Sequence, residues 1–298
     1  MFFLLALLLL APSSSLLQGP VKLPDLGQLT RAVKSGDDVE IERVAARFGP
    51  VRLLRVAVGG RPEERLAALR GLAVLDDAWY VLPDLVRLLA EGDSEVADAA
   101  AVSVRQIAAG LSPETMFADE VPRDVPARAA SALLEVARKS EPRPPLRVAA
   151  LGALASLRAV TRFDENAYVR LTADRDPEVR RAAAEGLAGV AGGEVPLVRL
   201  LEEDVPQVAA TAAAALCRDV PPTGNKGAGV DRATRLSPKA RERLRQLALD
   251  DSLGLVDRLD LMGCLRVNAQ PSDQKVLDQL ARAKLDSLKR RARSLGAK

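Results

Sequence analysis

Residues 174–190 read DRDPEVRRAAAEGLAGV. Asp176 followed by Pro177 is typical of a helix start, because an aspartate side chain accepts hydrogen bonds from free backbone N–H groups and proline has no N–H to leave unpaired. From Val179 onward, small and apolar residues recur at the spacing of one helix face. They are Val179, Ala182, Ala183, Gly186, Leu187 and Val190. The stretch therefore predicts an amphipathic helix whose small residues let a neighbouring helix pack closely.

The same pattern recurs along the chain. PPLRVAALGAL at 144–154 matches PEVRRAAAEGL at 177–187 position by position, and PEERLAALRGL at 62–72 repeats it. Weaker copies are SEVADAAAVSV (94–104), PQVAATAAAAL (206–216) and LVDRLDLMGCL (255–265). A second short helical pattern precedes each copy. Self-similarity at a spacing of about 30 residues predicts a stack of helical hairpins.

This repeated unit resembles the short form of the HEAT repeat, the PBS-lyase type, in which an acidic residue is followed by Val-Arg and an alanine-rich second helix. The resemblance covers roughly residues 50–267. It implies an all-α fold, a right-handed α-solenoid of about six HEAT-like helical hairpins with helical caps at both ends. In such a solenoid each repeat contacts only its neighbours.

The resemblance also implies a ladder of ion pairs between repeats, in which an acidic residue a few positions before the Val-Arg pairs with the arginine. Asp174 stands six residues before Arg180, and Glu141 stands six before Arg147. We therefore expect Asp174 to pair with Arg180, and Glu141 and Arg147 to occupy the equivalent places. Two of the weaker copies carry alanine at the arginine position, so we expect the ladder to be interrupted there.

The N-terminus has the pattern of an export signal. Residues 2–11 form an apolar run that ends at Pro12 and three serines, the length of a signal-peptide core and too short to cross a bilayer. Because no basic residue precedes the run, an uncleaved anchor or a buried helix stays open. We expect a signal peptide over 1–18 and a periplasmic or secreted protein.

The rest of the chain divides by pattern. Residues 19–49 predict N-terminal capping helices, and residues 50–270 predict the solenoid. A loop insert at 218–237 interrupts the solenoid over a length that is often functional or disordered. Residues 271–298 predict a basic C-terminal capping helix. Its densest cluster of positive charge comprises Lys289, Arg290, Arg291 and Arg293. This cluster is either a solvated helix end or a contact for an anionic membrane surface.

Two cysteines, Cys217 and Cys264, lie near the ends of the second helices of repeats five and six. An exported protein meets an oxidising compartment, which permits a disulfide. However, packed helix axes lie about 8–10 Å apart, whereas a disulfide needs Cα atoms within about 7 Å. We favour two small buried thiols and leave the disulfide open.

The sequence offers little for catalysis. It contains no histidine, which removes the usual general base, the Ser-His-Asp arrangement and most zinc sites. The stretch GNKGAG at 224–229 fails the P-loop pattern, and Ser272, in SDQK, is better explained as a helix N-cap than as a nucleophile. Some HEAT-like proteins are enzymes, among them phycobilin lyases and alkylpurine DNA glycosylases, but this chain has few aromatic residues to hold an extruded base. We expect no enzyme and no catalytic, cofactor or metal site.

In HEAT arrays the second helices line the concave side, so the resemblance places a recognition strip on their exposed positions. The candidate partner-binding residues are Arg70, Val148, Arg181, Glu185 and Ala210. Because charge is interrupted by small and apolar side chains, we expect a protein or peptide partner, as a helix or an extended segment, and not nucleic acid. Burial of these positions by tighter stacking remains open. The leading function is an exported non-catalytic scaffold. The alternatives are an envelope protein that binds anionic surfaces through its basic C-terminal helix and a HEAT-like enzyme.

Overall fold

The computed structural model describes most of the chain after the leader. The described residues are 25–91, 94–118, 120–139, 143–162, 164–218, 236–266 and 270–281, with 290 and 293. Within them the chain forms α-helices and short 3-10 turns and no β-strand, which confirms the predicted all-α solenoid. The predicted signal peptide, most of the predicted insert and Glu141 lie outside these residues.

Two helices, α1 (Leu26–Ser35) and α2 (Asp38–Ala46), precede the repeats. Asp25 and Asp37 begin them, because each side chain accepts a hydrogen bond from a backbone N–H of the first turn. Both helices pack against the second helix of the first repeat. They therefore cover the N-terminal end of the repeat array.

Six helical hairpins follow in the described part of the chain. Their first helices are α3 (Pro50–Gly59), α5 with α6 (Leu82–Leu85 and Leu88–Glu91), α9 (Asp124–Arg138), α11 (Glu165–Leu171), α13 (Glu194–Leu201) and α15 (Pro238–Leu249). Their second helices are α4 (Pro62–Ala73), α7 (Ser94–Gly110), α10 (Pro144–Ser156), α12 (Pro177–Gly186), α14 (Pro206–Leu216) and α16 (Leu255–Arg266). The second helices match the six copies of the sequence pattern.

Two more helices stand outside the hairpins. α8 (Pro113–Ala118) fills the wider spacing between the second and third hairpins, and α17 (Pro271–Ala281) follows the sixth and packs against α15 and α16. Ser272 was expected to cap α17, but it lies inside the first turn of the helix. The backbone N–H of Gln270 instead donates to the side chain of Asp273, at 2.7 Å.

The second helices form one continuous layer, in which each packs on the next from α4 to α16. Small side chains make this possible. Ala183 of α12 is fully buried, as are Ala150 of α10 and Ala209 of α14. Asp176 begins α12 as the sequence predicts, since its side chain accepts from the N–H groups of two residues in the first turn. The alanine-rich pattern therefore specifies close helix packing.

The arginine of the repeat pattern binds the main chain of its own hairpin. Arg65, Arg147 and Arg258 each donate from Nε to a carbonyl oxygen in the last turn of their first helix, at 2.9, 3.0 and 3.3 Å. Arg180 differs, since it donates from Nη1 to the carbonyls of Asp174 and Arg175, at 2.9 and 3.2 Å, in the turn that follows α11. The carbonyls at a helix end have no partner within the helix. The arginine satisfies them and holds the two helices of a hairpin together.

Ion pairs then join neighbouring repeats. Arg147 binds the carboxylate of Asp174, in the α11–α12 turn of the next repeat, through two hydrogen bonds of 3.2 and 2.5 Å. Arg180 binds Glu203, in the α13–α14 turn, at 2.9 Å. The predicted side-chain pair of Asp174 with Arg180 is therefore wrong. Arg180 reaches only the backbone of Asp174, because its guanidinium lies between that carbonyl and the acidic residue of the following repeat.

Glu203 was missed in the sequence because its own repeat carries Ala209 where Arg180 stands in the preceding one. It nevertheless lies six residues before Ala209, the position that Asp174 holds before Arg180. Each acidic residue pairs with the arginine of the preceding repeat. A repeat that lacks its own arginine can therefore still provide the acidic partner. The ladder therefore continues one step further than the pattern indicates.

The carboxyl group of Asp174 is ionised at neutral pH. Burial alone would raise its pKa, but the hydrogen bonds from Arg147 and from the backbone N–H of Asp176 outweigh that effect and hold the pKa below its ordinary value. The side chains of Arg147 and Asp174 are 4% and 14% exposed. Such a pair is little screened by solvent, so removal of either partner would leave a charge without compensation.

A second ionic group closes the C-terminal end. Asp273 of α17 is fully buried between two arginines of α15, with Arg241 at 2.9 Å and Arg245 at 2.7 Å. Burial works to raise the pKa of Asp273, but the bonds from Arg241, from the backbone of Gln270 and from Arg245 lower it below the ordinary value. Arg241 also donates to the carbonyl of Leu265, in α16. These contacts fasten α17 to both helices of the sixth hairpin.

The ladder can be tested by a pair of neighbouring arginines. Arg180→Ala should lower the free energy of unfolding by about 1–3 kcal/mol, because it removes charge-assisted hydrogen bonds to Glu203 and to two carbonyls of the α11–α12 turn. Arg181→Ala should lower it by less than about 0.5 kcal/mol, since Arg181 makes only an exposed pair with Glu178. Chemical denaturation of both variants measures the difference. Equal losses would contradict the ladder.

The C-terminal group predicts a pH dependence. Asp273→Asn should cost about 3–5 kcal/mol at neutral pH, because it leaves Arg241 and Arg245 facing a neutral group. A carboxylate with a lowered folded pKa contributes stability above its unfolded pKa of about 3.9 and loses it as the pH falls through the folded value. The difference between wild type and variant should therefore shrink below about pH 4. Thermal unfolding between pH 3 and pH 7 measures it, and a difference that stays constant would refute the assignment.

Candidate functional site: a groove along the second helices

A groove of about 870 Å³ crosses the second helices α7, α10 and α12. Its floor consists of small and apolar side chains. They include Ala101, Val102, Val148, Ala149, Gly152 and Ala182. A smaller cleft of about 160 Å³ adjoins it and reaches α14 and α16. Arg181, Glu185 and Arg218 line both, so the two depressions form one strip along the second helices.

Three of the five candidate partner-binding residues line this groove. Val148 of α10 is half-buried in the floor, Arg181 of α12 is half-buried, and Glu185 lies one turn further along α12 and is exposed. Arg181 also donates to Glu178 at 3.0 Å. The structure thus brings Val148, Arg181 and Glu185 together on one surface, although the first belongs to a different repeat.

Ala210 does not belong to this surface. It is 2% exposed, and its predicted place on the recognition strip is wrong. α14 is rich in alanine and is packed by α12 on one side and α16 on the other. The methyl group of Ala210 is therefore part of the buried layer and offers no surface to a partner. Thr211 and Ala214 line the smaller cleft instead.

Arg70 lies near the N-terminal cap rather than in the groove. Its guanidinium binds Asp38 of α2 at 2.6 Å, and about a third of the side chain is exposed. Its expected contact with a partner stays a prediction. In the structure it links the first repeat to the capping helices.

Arginines from four successive repeats surround the groove. They are Arg105 of α7, Arg158 in the turn after α10, Arg181 of α12 and Arg218 just after α14. Arg105, Arg158 and Arg218 were missed in the sequence, because they fall just beyond the eleven-residue pattern on which the repeats were aligned. The sequence did carry a signal for them, because an arginine follows within four positions of the end of the copies at 94–104, 144–154 and 206–216. In the part of the chain that the structure describes, the acidic residues at the groove are Asp98 and Glu185.

A buried tyrosine supports the groove from below. Tyr168 of α11 is fully buried, and its hydroxyl donates to the carbonyl of Leu151, in α10, at 2.8 Å. Burial raises the pKa of Tyr168, so the hydroxyl keeps its proton and acts as a donor. The ring lies against Gly186, where an added Cβ would stand 2.0 Å from a ring carbon. The absence of a side chain at Gly186 therefore lets Tyr168 pack against both α10 and α12.

Cys217 and Cys264 form a disulfide, and their Cα atoms lie 5.5 Å apart. The expectation of two separate thiols is wrong. The distance between two helix axes is larger than the distance between Cα atoms on their facing sides. Each Cα atom lies about 2.3 Å from its own axis, so two facing Cα atoms can come within disulfide range. Cys217 caps the end of α14 and Cys264 lies in α16. The bond therefore joins the fifth and sixth repeats.

Other kinds of site find no support among the described residues. No group of three or more metal-ligating side chains occurs there, and no helix in that part of the chain is long and apolar enough to cross a membrane. The hydroxyl of Ser272 accepts a hydrogen bond from Arg245 at 3.1 Å. In the basic C-terminal cluster, Arg290 and Arg293 are exposed, and Lys289 and Arg291 lie outside the described residues.

Comparison with solved structures identifies the type of repeat. The chain is similar to the Kap95:Nup1 complex, with 15% identity and a TM-score of 0.56 over 91% of this chain and 39% of that one. It is similar to importin beta crystallised with ammonium sulfate, with 13% identity and a TM-score of 0.52 over 91% and 41%. The fold is a HEAT/armadillo-type helical repeat.

These similarities show the fold alone, since the identities are low and the chain spans about two fifths of the length of either protein. A designed armadillo repeat protein in complex with the peptide (KR)4 is 19% identical over 92% of this chain and 98% of that one, but its TM-score of 0.34 is too low for an argument. No protein-family model and no curated protein matches the chain.

Two glycines of the groove make a matched stability test. Gly186→Ala should lower the free energy of unfolding by about 1–3 kcal/mol, because the added methyl group collides with the Tyr168 ring. Gly152→Ala should leave stability unchanged or raise it by up to about 1 kcal/mol, since the methyl group would meet only the Arg105 side chain at 3.9 Å and alanine favours the helix. Thermal unfolding measures both. A Gly186→Ala variant as stable as wild type would show that Tyr168 does not pack there.

Proposed function

We propose that the protein is an exported, non-catalytic HEAT-repeat scaffold that binds a segment of another protein in the groove along its second helices. The observation that carries this proposal is the groove itself. It crosses three successive second helices, has a floor of small and apolar side chains, and is bordered by charged ones. A peptide laid across the helices would bury the floor and contact the charges at the rim, the arrangement of many protein interfaces.

The helix-turn pattern supports a short, PBS-lyase-type HEAT repeat. In that form an acidic residue, Val-Arg and an alanine-rich second helix recur, and the Arg147–Asp174 and Arg180–Glu203 pairs use the arginine in a regular way. The same arginines donate to main-chain carbonyls of their own hairpins. These residues are thereby engaged in the fold, which leaves the groove as the surface available to a partner.

Export is part of the proposal for two reasons. The first is the signal-peptide pattern over 1–18. The second is the disulfide between Cys217 and Cys264, because structural disulfides persist in oxidising compartments and are rare in the reducing cytosol. Together they favour a periplasmic or secreted protein.

The groove chemistry supports binding rather than catalysis. Among the described residues that line the groove, Ser156 is the one that carries a hydroxyl, and it donates to the carbonyl of Gly152 at 3.2 Å. An activated nucleophile needs a neighbouring general base, and the chain contains no histidine. The arginines and carboxylates at the rim suit recognition of charged groups.

Selection of peptides from a random displayed library tests the proposal. Peptides selected on the purified protein should bind Val148→Glu at least about tenfold more weakly, because a carboxylate in the apolar floor would lose its hydration when the peptide covers it. Val195→Glu is the matched control, since Val195 is exposed on the first helix α13. It should bind as wild type does. Fluorescence anisotropy gives the affinities, and thermal unfolding verifies that both variants are folded.

A second variant tests the groove at an exposed residue whose substitution should not affect folding. Glu185→Lys changes an exposed groove residue and should retain wild-type stability while altering peptide affinity. If every selected peptide binds Val148→Glu and Glu185→Lys as tightly as wild type, the groove is not the binding surface and the proposal fails.

A further inference from the structure

The ladder of ion pairs does not reach the last hairpin. The steps described above connect repeats three, four and five. At the next junction Ala209 holds the arginine position of repeat five. Ser252, six residues before Arg258, holds the acidic position of repeat six. Because neither side chain is charged, the junction between repeats five and six lacks both halves of a ladder pair.

Other polar contacts cross that junction. Arg243 of α15 donates to the carbonyls of Leu201 and Glu203, at 3.4 and 2.9 Å, at the end of α13. Lys239 pairs with Glu202 at 2.7 Å, but the two side chains are 80% and 51% exposed. Exposed pairs contribute little to stability, because solvent screens them. The disulfide lies at this same junction, where it joins α14 to α16.

The sixth hairpin and α17 form one unit beyond the junction. Arg258 binds a carbonyl at the end of α15 and so joins α15 to α16, and Asp273 joins α17 to α15. The end unit of a repeat array has one neighbour, so it opens when the contacts with that neighbour break. This unit is held to the array by packing of α15 and α16 on the fifth repeat, by the contacts of Arg243, and by the disulfide.

The disulfide is the covalent part of this connection. It joins residues 47 positions apart, and a cross-link that closes a long loop stabilises a fold by restricting the unfolded chain. Cys264 is 5% exposed and Cys217 is half-buried, so the bond is more accessible at Cys217. Its loss would make the unit open more often and would leave the packing within the other repeats unchanged.

Opening of the unit would change the candidate binding strip. The smaller cleft has α12 and α14 on one side and Val256, Asp257 and Asp260 of α16 on the other. Arg218, which lines both the cleft and the groove, directly follows Cys217. The cleft is therefore complete only while α16 is packed on α14. The floor of the groove, in contrast, belongs to repeats two to four.

We infer that the Cys217–Cys264 disulfide is a redox-controlled fastening of the sixth hairpin and α17, and that its formation in an oxidising compartment completes the smaller cleft. The inference rests on the proposed export for the place where the bond forms, since an oxidising compartment maintains structural disulfides. What the bond holds together follows from the structure alone.

The bond forms and breaks by thiol–disulfide exchange. On formation, a disulfide oxidant accepts two electrons and two protons from the two cysteine thiols and leaves as a dithiol. In the reverse direction, one thiolate of a dithiol attacks the sulfur of Cys217 and displaces Cys264 as a thiolate. The second thiol of the dithiol then displaces Cys217 and closes its own disulfide, so both cysteines end as thiols.

Hydrogen exchange of the full protein tests the fastening. After reduction with dithiothreitol, amide exchange in α16 and α17 should be at least about tenfold faster, because the unit opens more often. Exchange in α10 and α12, which the ladder joins to their neighbours, should stay within about twofold of the oxidised protein. Mass spectrometry of proteolytic fragments measures both. Unchanged exchange in α16 and α17, or an equal increase in every repeat, would overturn the inference.

A cysteine variant is the matched control. Cys217→Ala combined with Cys264→Ala removes both cysteines of the chain and should exchange like the reduced wild type, with no further change when dithiothreitol is added. If dithiothreitol speeds exchange in this variant as well, the reductant acts elsewhere and the inference falls. It also falls if the variant protects α16 and α17 as well as oxidised wild type does. Protection of α10 and α12 verifies that the variant is folded, and without it the reduced wild type decides alone.

The outcome for the proposed function is read separately, because these measurements need no ligand. Library peptides whose binding depends on Val148 should bind the oxidised and the reduced protein equally, since the groove floor belongs to repeats two to four. If their affinity falls on reduction, the opening extends into the groove, and the inference is overturned while the scaffold function stands. If no selected peptide depends on Val148, the scaffold function falls and the exchange measurements still decide the inference.

Discussion

The close contact between successive second helices is the constraint on which the rest of the structure depends. Alanine and glycine let α10, α12 and α14 approach one another, and Ala183, Ala150 and Ala209 are fully buried in these contacts. The same small residues produce the floor of the groove, because side chains that leave room for a neighbouring helix also leave a depression on the open face. Packing and the candidate binding surface thus have one origin.

Arginine takes two different roles in this fold. Arg147 binds a carbonyl in the last turn of α9, Arg180 binds carbonyls in the α11–α12 turn, and each also binds the acidic residue of the next repeat. They are buried or nearly so, and their charge is compensated within the protein. Arg105 and Arg218 are exposed at the groove. Position relative to the layer of second helices decides whether an arginine stabilises the fold or is available for a ligand.

Individual residues show how far sequence reasoning extends. Val148, Arg181 and Glu185 could be assigned to one surface because they occupy equivalent faces of aligned helices, and the groove contains all three. Ala210 could not be separated from them, because alanine is compatible with a buried and an exposed position and α14 carries it on every side. The pairing of Asp174 with Arg147 required the path of the turn, which brings an acidic residue beside the preceding repeat rather than its own.

The sequence by itself determined the repeat, the number of hairpins and helix starts such as the one at Asp176, because these depend on local periodicity and capping, which are properties of neighbouring residues. It also identified the arginine in the repeats that carry one. Only the tertiary structure decided which acid each arginine binds, that Cys217 reaches Cys264, and that arginines from four repeats meet at one groove. The ion pairs and the disulfide join residues that lie 23 to 47 positions apart in the chain, and the groove arginines extend from Arg105 to Arg218. These relations depend on the distance and angle at which one hairpin packs on the next.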